Sequence, residues 1–483
     1  MPALIAAAWF GGLWALGLPL PYADFQFFHE PAIRLATEGR AASFGLSCFD
    51  PALADRFDVY VPGYILFWAA LYKAFGVGLA TFQLGSAAIH VAGIAALWLC
   101  AARLPVRGPA PGRDAQRGAA WGAWLAAGIF FCMAINPHPQ SLGILLGLSS
   151  LAVLFGPPSA ARRIAAGALA ALCLFTSPLA AFAFVGFGAA ATWSAGRRGD
   201  AALYLGLAAA MAFALFGLWA TVAPDALASV VRHIGRQLVF VHQIRPEAAG
   251  TADQLYAALR NLDQHFGRLH RYLRLAPALA LLAAAAWLWR PLRRPAAIYA
   301  ALLVAVSLVS ALDYLQAQVT SALLVMLLMH ALLRVPARRA AATAAVALVT
   351  VGVAYEAVKS LAAGLVHPAA ANYAAAARTL GAHPIPDGAA AAGVYLYLAR
   401  AGGARTYNYE FCAWTIERGL IRPPAIVVTP LFYELDRGWL ERDYRRVEPA
   451  DYALRGLDRS SPWVRTHFPY DARPVILERR SDR

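Results

Sequence analysis

Long apolar stretches, broken at intervals by short arginine-bearing or small polar turns, set the pattern of this chain from residue 3 to about residue 364. A helix needs roughly 20 apolar residues to cross a bilayer, and shorter ones suffice inside a bundle. On that scale the runs predict eleven membrane spans, near 3–21, 79–102, 118–135, 141–156, 164–176, 178–194, 200–222, 273–289, 296–312, 319–334 and 340–364. The pair flanking Thr176, Ser177 and Pro178 is short enough to form one broken hairpin. Beyond residue 365 the pattern changes to that of a soluble α/β domain. VYLYLARAGGARTYNYEF, AIVVTPLFYEL and RPVILERR read as strands, partly parallel, and ANYAAAARTLGAH reads as a helix. The sequence thus divides into a membrane domain, 1–364, and a soluble α/β domain, 365–483.

One apolar piece, PGYILFWAALYKAFG at 62–76, is ambiguous, and the positive-inside rule decides it. If it does not cross, five arginine-bearing loops fall together on the cytoplasmic side. They hold Arg103, Arg107, Arg113 and Arg117; Arg162 and Arg163; Arg197 and Arg198; Arg290, Arg293 and Arg294; and Arg334, Arg338 and Arg339. If it crosses, all five fall outside. The piece is therefore expected to lie in the interface, where its Pro62 start, its ring-bearing face of Tyr64, Trp68 and Tyr72, and a snorkelling Lys73 suit it. The N-terminus is then cytoplasmic and the C-terminal domain external, with 22–78 and 223–272 as the two large external loops. For a bacterial chain that orientation means an inner-membrane protein with a periplasmic module. The first stretch lacks a basic leading region and an A-x-A site, so it reads as a retained helix.

Composition agrees with the pattern: 60% of the residues are hydrophobic, 14% are charged, and the mean hydropathy is +0.53. The net charge of +15 is almost wholly arginine, Lys73 and Lys359 being the only lysines. On a polytopic protein such charge orients helices and meets lipid phosphates, and no nucleic-acid partner is expected. The five cysteines show no metal spacing. Cys48 and Cys412 fall outside, where a disulfide is permitted, although nothing in the sequence pairs them.

Asp24, in PYADFQFFHE, stands where the first apolar run ends. Together with the following FQFFHEPAIRLATEG it is similar to the acidic motif and helix of the GT-C superfamily of polytopic glycosyltransferases. The branch it resembles contains the protein O-mannosyltransferases and the aminoarabinose transferase of lipid A. VPGYILFWAALYKAFGVG resembles that branch's proline-led segment, and AAGALAALCLFTSPLAAF is a further, weaker match. The resemblance runs in order through the membrane part and loosely into the C-terminal domain. It implies a polytopic helical fold with a periplasmic α/β domain, and transfer of a sugar from a polyprenyl-phosphate donor to a lipid, glycan or protein acceptor. Membrane lipids are further partners, and no nucleotide is needed.

Such a transfer requires a base to take the acceptor's proton, a role the resemblance gives to Asp24, with capping of the next helix as the plainer alternative. The family's second adjacent acid is replaced here by Phe25. That counts against a paired-acid or metal-assisted site; no cofactor is required on this reading, and a divalent metal finds no support in the spacing. Asp58 is the best second acid on a loop that also holds Asp50 and Asp55. His29 and Glu30 follow more than one turn after Asp24, as substrate contacts or as surface and capping residues. Cations should surround the leaving phosphate: Arg56, Lys73, and Arg232 with Arg236, four apart on one helical face, are candidates. Nonspecific lipid contact is the competing role for these cations. Tyr60, His138 and Asp313 are candidate cavity-lining residues on external loops, and Lys359 pairs with Glu356 or meets phosphate inside the last apolar run. A transporter or lipid flippase, or an inactive scaffold of the same fold, are the competing functions; no internal repeat of the kind carriers show is legible.

Overall fold

The structure is a computed structural model of the 483-residue chain, described for residues 23–48, 51–57, 60–106, 139–223, 275–309, 313–334, 369–447 and 474–480, with Gly11, Gly12, Trp14, Asp225, Leu227 and Ala228. The chain forms two compact units. One comprises Met1–Phe10, Val59–Gly63 and Ala87–Val358; the other comprises Gly11–Asp58, Tyr64–Ser86 and Lys359–Arg483.

The first unit is a helical bundle. It contains the later part of α3 (Leu79–Arg103), then α4 (Pro139–Leu154), α5 (Ala160–Thr176), α6 (Pro178–Ser194), α7 (Arg198–Val222), α8 (Leu275–Leu288), α9 (Arg293–Val309) and α10 (Asp313–Arg334). Each helix stands where an apolar run predicts one. α3 and α7 are long and apolar enough to cross a membrane, and α4, α6 and Val319–Ala331 are shorter apolar helices. The runs expected at 118–135 and 340–364 lie outside the described residues, as does nearly all of 3–21.

Small residues let these helices approach closely. Gly143 and Gly147 share one face of α4: a methyl group on Gly143 would meet Ser177 Cβ at 2.6 Å and Ala180 Cβ at 2.9 Å, and one on Gly147 would meet the Phe184 ring at 2.6 Å. This is the small-xxx-small packing that helices use where lipid removes the hydrophobic drive to associate. The break between α5 and α6 follows from Ser177 and Pro178. Ser177 caps α6 through its side chain, accepting from the Ala180 amide at 3.3 Å, and Pro178 begins the helix where its missing N–H costs nothing.

Among the described residues, the arginine contacts of the bundle gather at one end. At one end Arg103 donates to the Ala152 carbonyl (3.0 Å), Arg163 pairs with Asp200 (2.8 Å), Arg197 pairs with the same carboxylate (2.8 Å), and Arg294 donates to the Ser194 carbonyl (3.0 Å). Residues from four of the five arginine-bearing loops thus meet at one end. At the other end Tyr60 hydrogen-bonds with Ser177 and Gln140, and a Cβ at Gly63 would meet the Phe175 carbonyl oxygen at 2.5 Å.

The second unit is built from α1 (Ala23–Glu38), two 3-10 turns at Phe44–Leu46 and Pro51–Ala54, α2 (Gly63–Phe75), the first turns of α3, and the C-terminal part of the chain. That part holds α11 (Ala369–Ala382), β1 (Ala390–Ala391), α12 (Gly393–Ala401), β2 (Tyr407–Asn408), α13 (Tyr409–Glu417), β3 (Ala425–Val428), α14 (Pro430–Asp443), β4 (Tyr444–Val447) and β5 (Val475–Arg479). The sheet order is β2-β1-β3-β5-β4. β1 pairs in parallel with β2 and β3, and β5 runs antiparallel to β3 and β4, so the sheet is partly parallel as the sequence predicts.

Two stretches expected as strands are helices. VYLYLARA, from Val394, lies in α12, and PLFYEL opens α14. α12 is buried at Val394, Tyr395, Leu396, Tyr397, Ala399 and Arg400, and its alternating Val, Tyr, Leu, Tyr, Leu order reads as a strand although the segment is a helix. For α14 the signal was present: Thr429 caps the Phe432 amide (3.4 Å) and Pro430 occupies the first turn.

Candidate functional site

Asp24 is the second residue of α1, and its side chain lies outside what the structure describes. What holds that helix is well defined. Pro31 lies inside α1, which continues through it; lacking an N–H, it leaves the Phe27 carbonyl without its usual helical donor, so tertiary contacts matter more to the position of the segment before it. His29 and Glu30, the two residues before the proline, supply them, and both are buried.

The His29 ring is enclosed by aromatic residues: Trp68 at 4.6 Å between ring centroids, Phe82 at 5.1 Å, Tyr72 at 5.9 Å and Tyr64 at 6.0 Å. Its Nδ1 shares a 2.7 Å hydrogen bond with the Tyr72 hydroxyl. Burial, the largest influence, drives that hydroxyl well above its ordinary value, so it stays a neutral partner. The aromatic face of α2 that sequence reasoning assigned to the membrane interface therefore packs, at Tyr64, Trp68 and Tyr72, around His29. Trp68 stacks on Phe82 (5.6 Å), and Phe82 meets Tyr397 of α12 (6.2 Å).

Glu30 is 3% exposed and forms an ion pair of 2.7 Å with Arg400, which is 4% exposed. The same carboxylate oxygen accepts from the Ser43 hydroxyl at 2.7 Å and from the Gly45 amide at 3.1 Å. Burial pulls the Arg400 guanidinium down to about 10, against the opposing pull of Glu30, and it remains a cation at neutral pH. Gly45 is glycine because of close approach: a Cβ there would collide with the Arg400 guanidinium and stand 3.0 Å from the Glu30 carboxylate. Three residues on, Cys48 is disulfide-bonded to Cys412, and the Cys412 sulfur lies 3.3 Å from the Gly45 carbonyl. The permitted disulfide is thus formed.

The other sequence candidates fall in several places. Arg56 and Lys73 are exposed residues of the second unit. Asp55 is exposed and lies 3.5 Å from Arg40. Tyr60 is half-buried in the first unit beside Ser177 and Gln140. Asp313 begins α10, with its side chain outside the described set. Asp50, Asp58, His138, Arg232, Arg236, Glu356 and Lys359 lie outside the described residues. Among the described residues no three His, Cys, Asp or Glu side chains gather as metal ligands do. Sequence reasoning missed Arg400, Ser43 and Gly45. The one available signal was an arginine closing an otherwise apolar run, VYLYLAR.

The fold described above, a helical bundle and a unit with a five-stranded mixed sheet, has counterparts among solved structures. The solved structure of ArnT, the lipid A aminoarabinose transferase, from Cupriavidus metallidurans bound to undecaprenyl phosphate is similar along 98% of this chain and 96% of its own, with a TM-score of 0.56 and 14% identity. The apo state of the same protein gives the same score and identity over 98% and 97%. The apo oligosaccharyltransferase of Archaeoglobus fulgidus covers 95% of this chain and 74% of its own at 12% identity, with a TM-score of 0.47. No family model and no curated protein matches the sequence.

Proposed function

We propose that this protein is a membrane glycosyltransferase that moves a sugar from a polyprenyl-phosphate donor to a lipid, glycan or protein acceptor on the periplasmic face of the inner membrane. The observation that carries this reading is the likeness along nearly the whole of both chains to ArnT, whose solved form holds undecaprenyl phosphate. It is joined by an acid at the second position of the helix that follows the first apolar run.

Asp24 is the general base. It takes the proton of the acceptor hydroxyl as that oxygen bonds to the anomeric carbon. The bond from that carbon to the phosphate oxygen breaks, and its electron pair leaves on the polyprenyl phosphate. The exposed cations Arg56 and Lys73 are candidates to meet the added negative charge, with Arg232, Arg236 and Lys359 as further candidates from the sequence. Asp58 is the second candidate acid; His138, Asp313 and Tyr60 line the acceptor or donor path. Residues 1–364 are the membrane domain and 365–483 the periplasmic module.

The orientation draws support from the bundle. Gly63, where the 62–76 segment begins, lies against Phe175 and Thr176, at the end of the bundle opposite the arginine cluster, whereas Arg103, at the close of the next helix, bonds to Ala152 within that cluster. One crossing between them accounts for both contacts.

Asp24→Asn tests the chemistry. In vesicles supplied with labelled polyprenyl-phosphate sugars from host membranes, we expect transfer to fall by at least about 100-fold, the scale of a lost general base. Binding of undecaprenyl phosphate should persist. Full transfer by the variant would remove Asp24 as base, and accumulation of free sugar in vesicles lacking the lipid donor would identify a carrier instead.

A further inference from the structure

We propose that Arg400 is a positioning residue for the reaction: through Glu30 it fixes the placement of the helix that carries Asp24. This rests on the reading of Asp24 as the base.

The ion pair is an expensive way to hold two elements together. Both groups are almost fully withdrawn from water, and replacing such a pair by apolar side chains of similar volume is often neutral or stabilising. What charged groups add is direction. One carboxylate oxygen of Glu30 receives a guanidinium, a hydroxyl and a backbone amide at 2.7, 2.7 and 3.1 Å, so the side chain has little freedom left. Fixing Glu30 fixes both the rotation of α1 about its axis and its position along that axis. Residue 24 lies six residues earlier, about 9 Å along the helix and about 240° around it, so its backbone is set by the same anchor. Pro31 adds to the need, because it weakens the link between this N-terminal segment and the rest of α1.

Arg400 is itself well placed to serve as an anchor. It closes α12, which follows directly from β1 in the sheet through Gly393 at φ +55, with the Gly393 amide bound to Glu410 at 3.0 Å. The turn bearing Ser43 and Gly45 is held from its other side by the Cys48–Cys412 disulfide, an independent tie between the same two stretches of chain. Control of α1 by the C-terminal module gives that module a part in the chemistry without supplying a group that touches substrate.

The test separates placement from stability. Arg400→Met leaves Glu30 buried and unpaired, and it should lower both Tm and kcat. Adding Glu30→Gln removes the second charge, and Tm should then recover most of the loss. If Arg400 only stabilises the fold, kcat should recover with Tm. If it positions α1, kcat for label transfer from the polyprenyl-phosphate-sugar extract should stay about 10- to 100-fold low, with the half-saturating donor concentration unchanged. Arg400→Lys, which keeps the charge, should fall between.

A folded double variant with wild-type kcat would overturn the proposal, as would a raised half-saturating concentration with kcat intact. A double variant that stays unfolded would also overturn it, since both charges would then be required for the fold itself. Asp24→Asn, assayed alongside, distinguishes the two readings. If that variant is active, the base assignment fails and this inference fails with it; if it is inactive while the double variant is fully active, only the positioning role fails.

Discussion

Glu30 and Arg400 illustrate how the cost of burying a charge constrains the residues around it. Loss of either partner leaves the other charge buried without its counter-ion, and removal of one member of a buried pair costs about 3–5 kcal/mol. Arg400→Met alone is therefore expected to lower thermal stability by that order, read as a shift in the unfolding midpoint of the purified protein. Gly45→Ala should act through the same pair, since its methyl group would displace the guanidinium; overpacking of this kind costs about 1–3 kcal/mol. An unchanged midpoint for Gly45→Ala would show that the guanidinium has room to move.

Acid sensitivity also belongs at this scale. Glu38 is held below its ordinary 4.5, first by its hydrogen bonds from Arg34, and Asp443 below its ordinary 3.8, first by Arg442. Depressed carboxylates contribute stability that is complete above the ordinary value and disappears as pH falls through the lower, folded one. Stability should therefore decline as pH drops below about 4.5, and Glu38→Gln should flatten the upper part of that decline in a pH series of melting curves. Of these residues, sequence reading reached Glu30 as a candidate contact and left Arg400 aside. An arginine at the end of an apolar run gives no hint of its partner, because the partner is 370 positions away and pairing is decided by the fold.

At the scale of elements, regularity governed what could be read. α4 to α10 occupy the apolar runs, where a continuous apolar length is legible directly in the sequence. α12 was hidden for a related reason. Its alternating Val, Tyr, Leu, Tyr, Leu order resembles a half-covered strand, and a short apolar run cannot be told from a buried helix by period alone. Cap residues were the better guide: Thr429-Pro430 and Ser177-Pro178 both mark helix starts. The glycines of α4 were visible in sequence but their use was not, since only the facing helix shows that Phe184 fills the place of a side chain at 147. Gly147→Val should accordingly separate α4 from α6 and lower stability by about 1–3 kcal/mol, measurable as earlier heat-induced aggregation in detergent. A melting profile like that of the parent would mean that the helices meet elsewhere.

For the whole molecule, the distribution of arginine was the most informative feature of the sequence. Four arginine-bearing turns meet at one end of the bundle through hydrogen bonds to Ala152, Asp200 and Ser194, which is the grouping that the positive-inside rule required of them. The proposed orientation can be tested with two single cysteines introduced at exposed positions, Gly199→Cys and Glu417→Cys. In intact spheroplasts a membrane-impermeant maleimide should label the second and spare the first. Labelling of the first alone would invert the orientation, and with it the compartment proposed for the reaction. The base itself could not be settled by reading at any scale: Asp24 is recognisable from its place after the first apolar run, whereas its role depends on a substrate that the sequence does not contain.

The bond between Cys48 and Cys412 joins positions 364 residues apart, so the chain must be made as far as residue 412 before the second sulfur exists. A chain halted anywhere short of that point keeps an unclosed thiol near its beginning, and a host cell lacking thiol-oxidising machinery would accumulate complete but open molecules. On the periplasmic placement proposed for the C-terminal module, closure of this bond waits on export of the stretch that bears Cys412, and alkylation of nascent chains during a pulse-chase would reveal the open form as a precursor of the closed one.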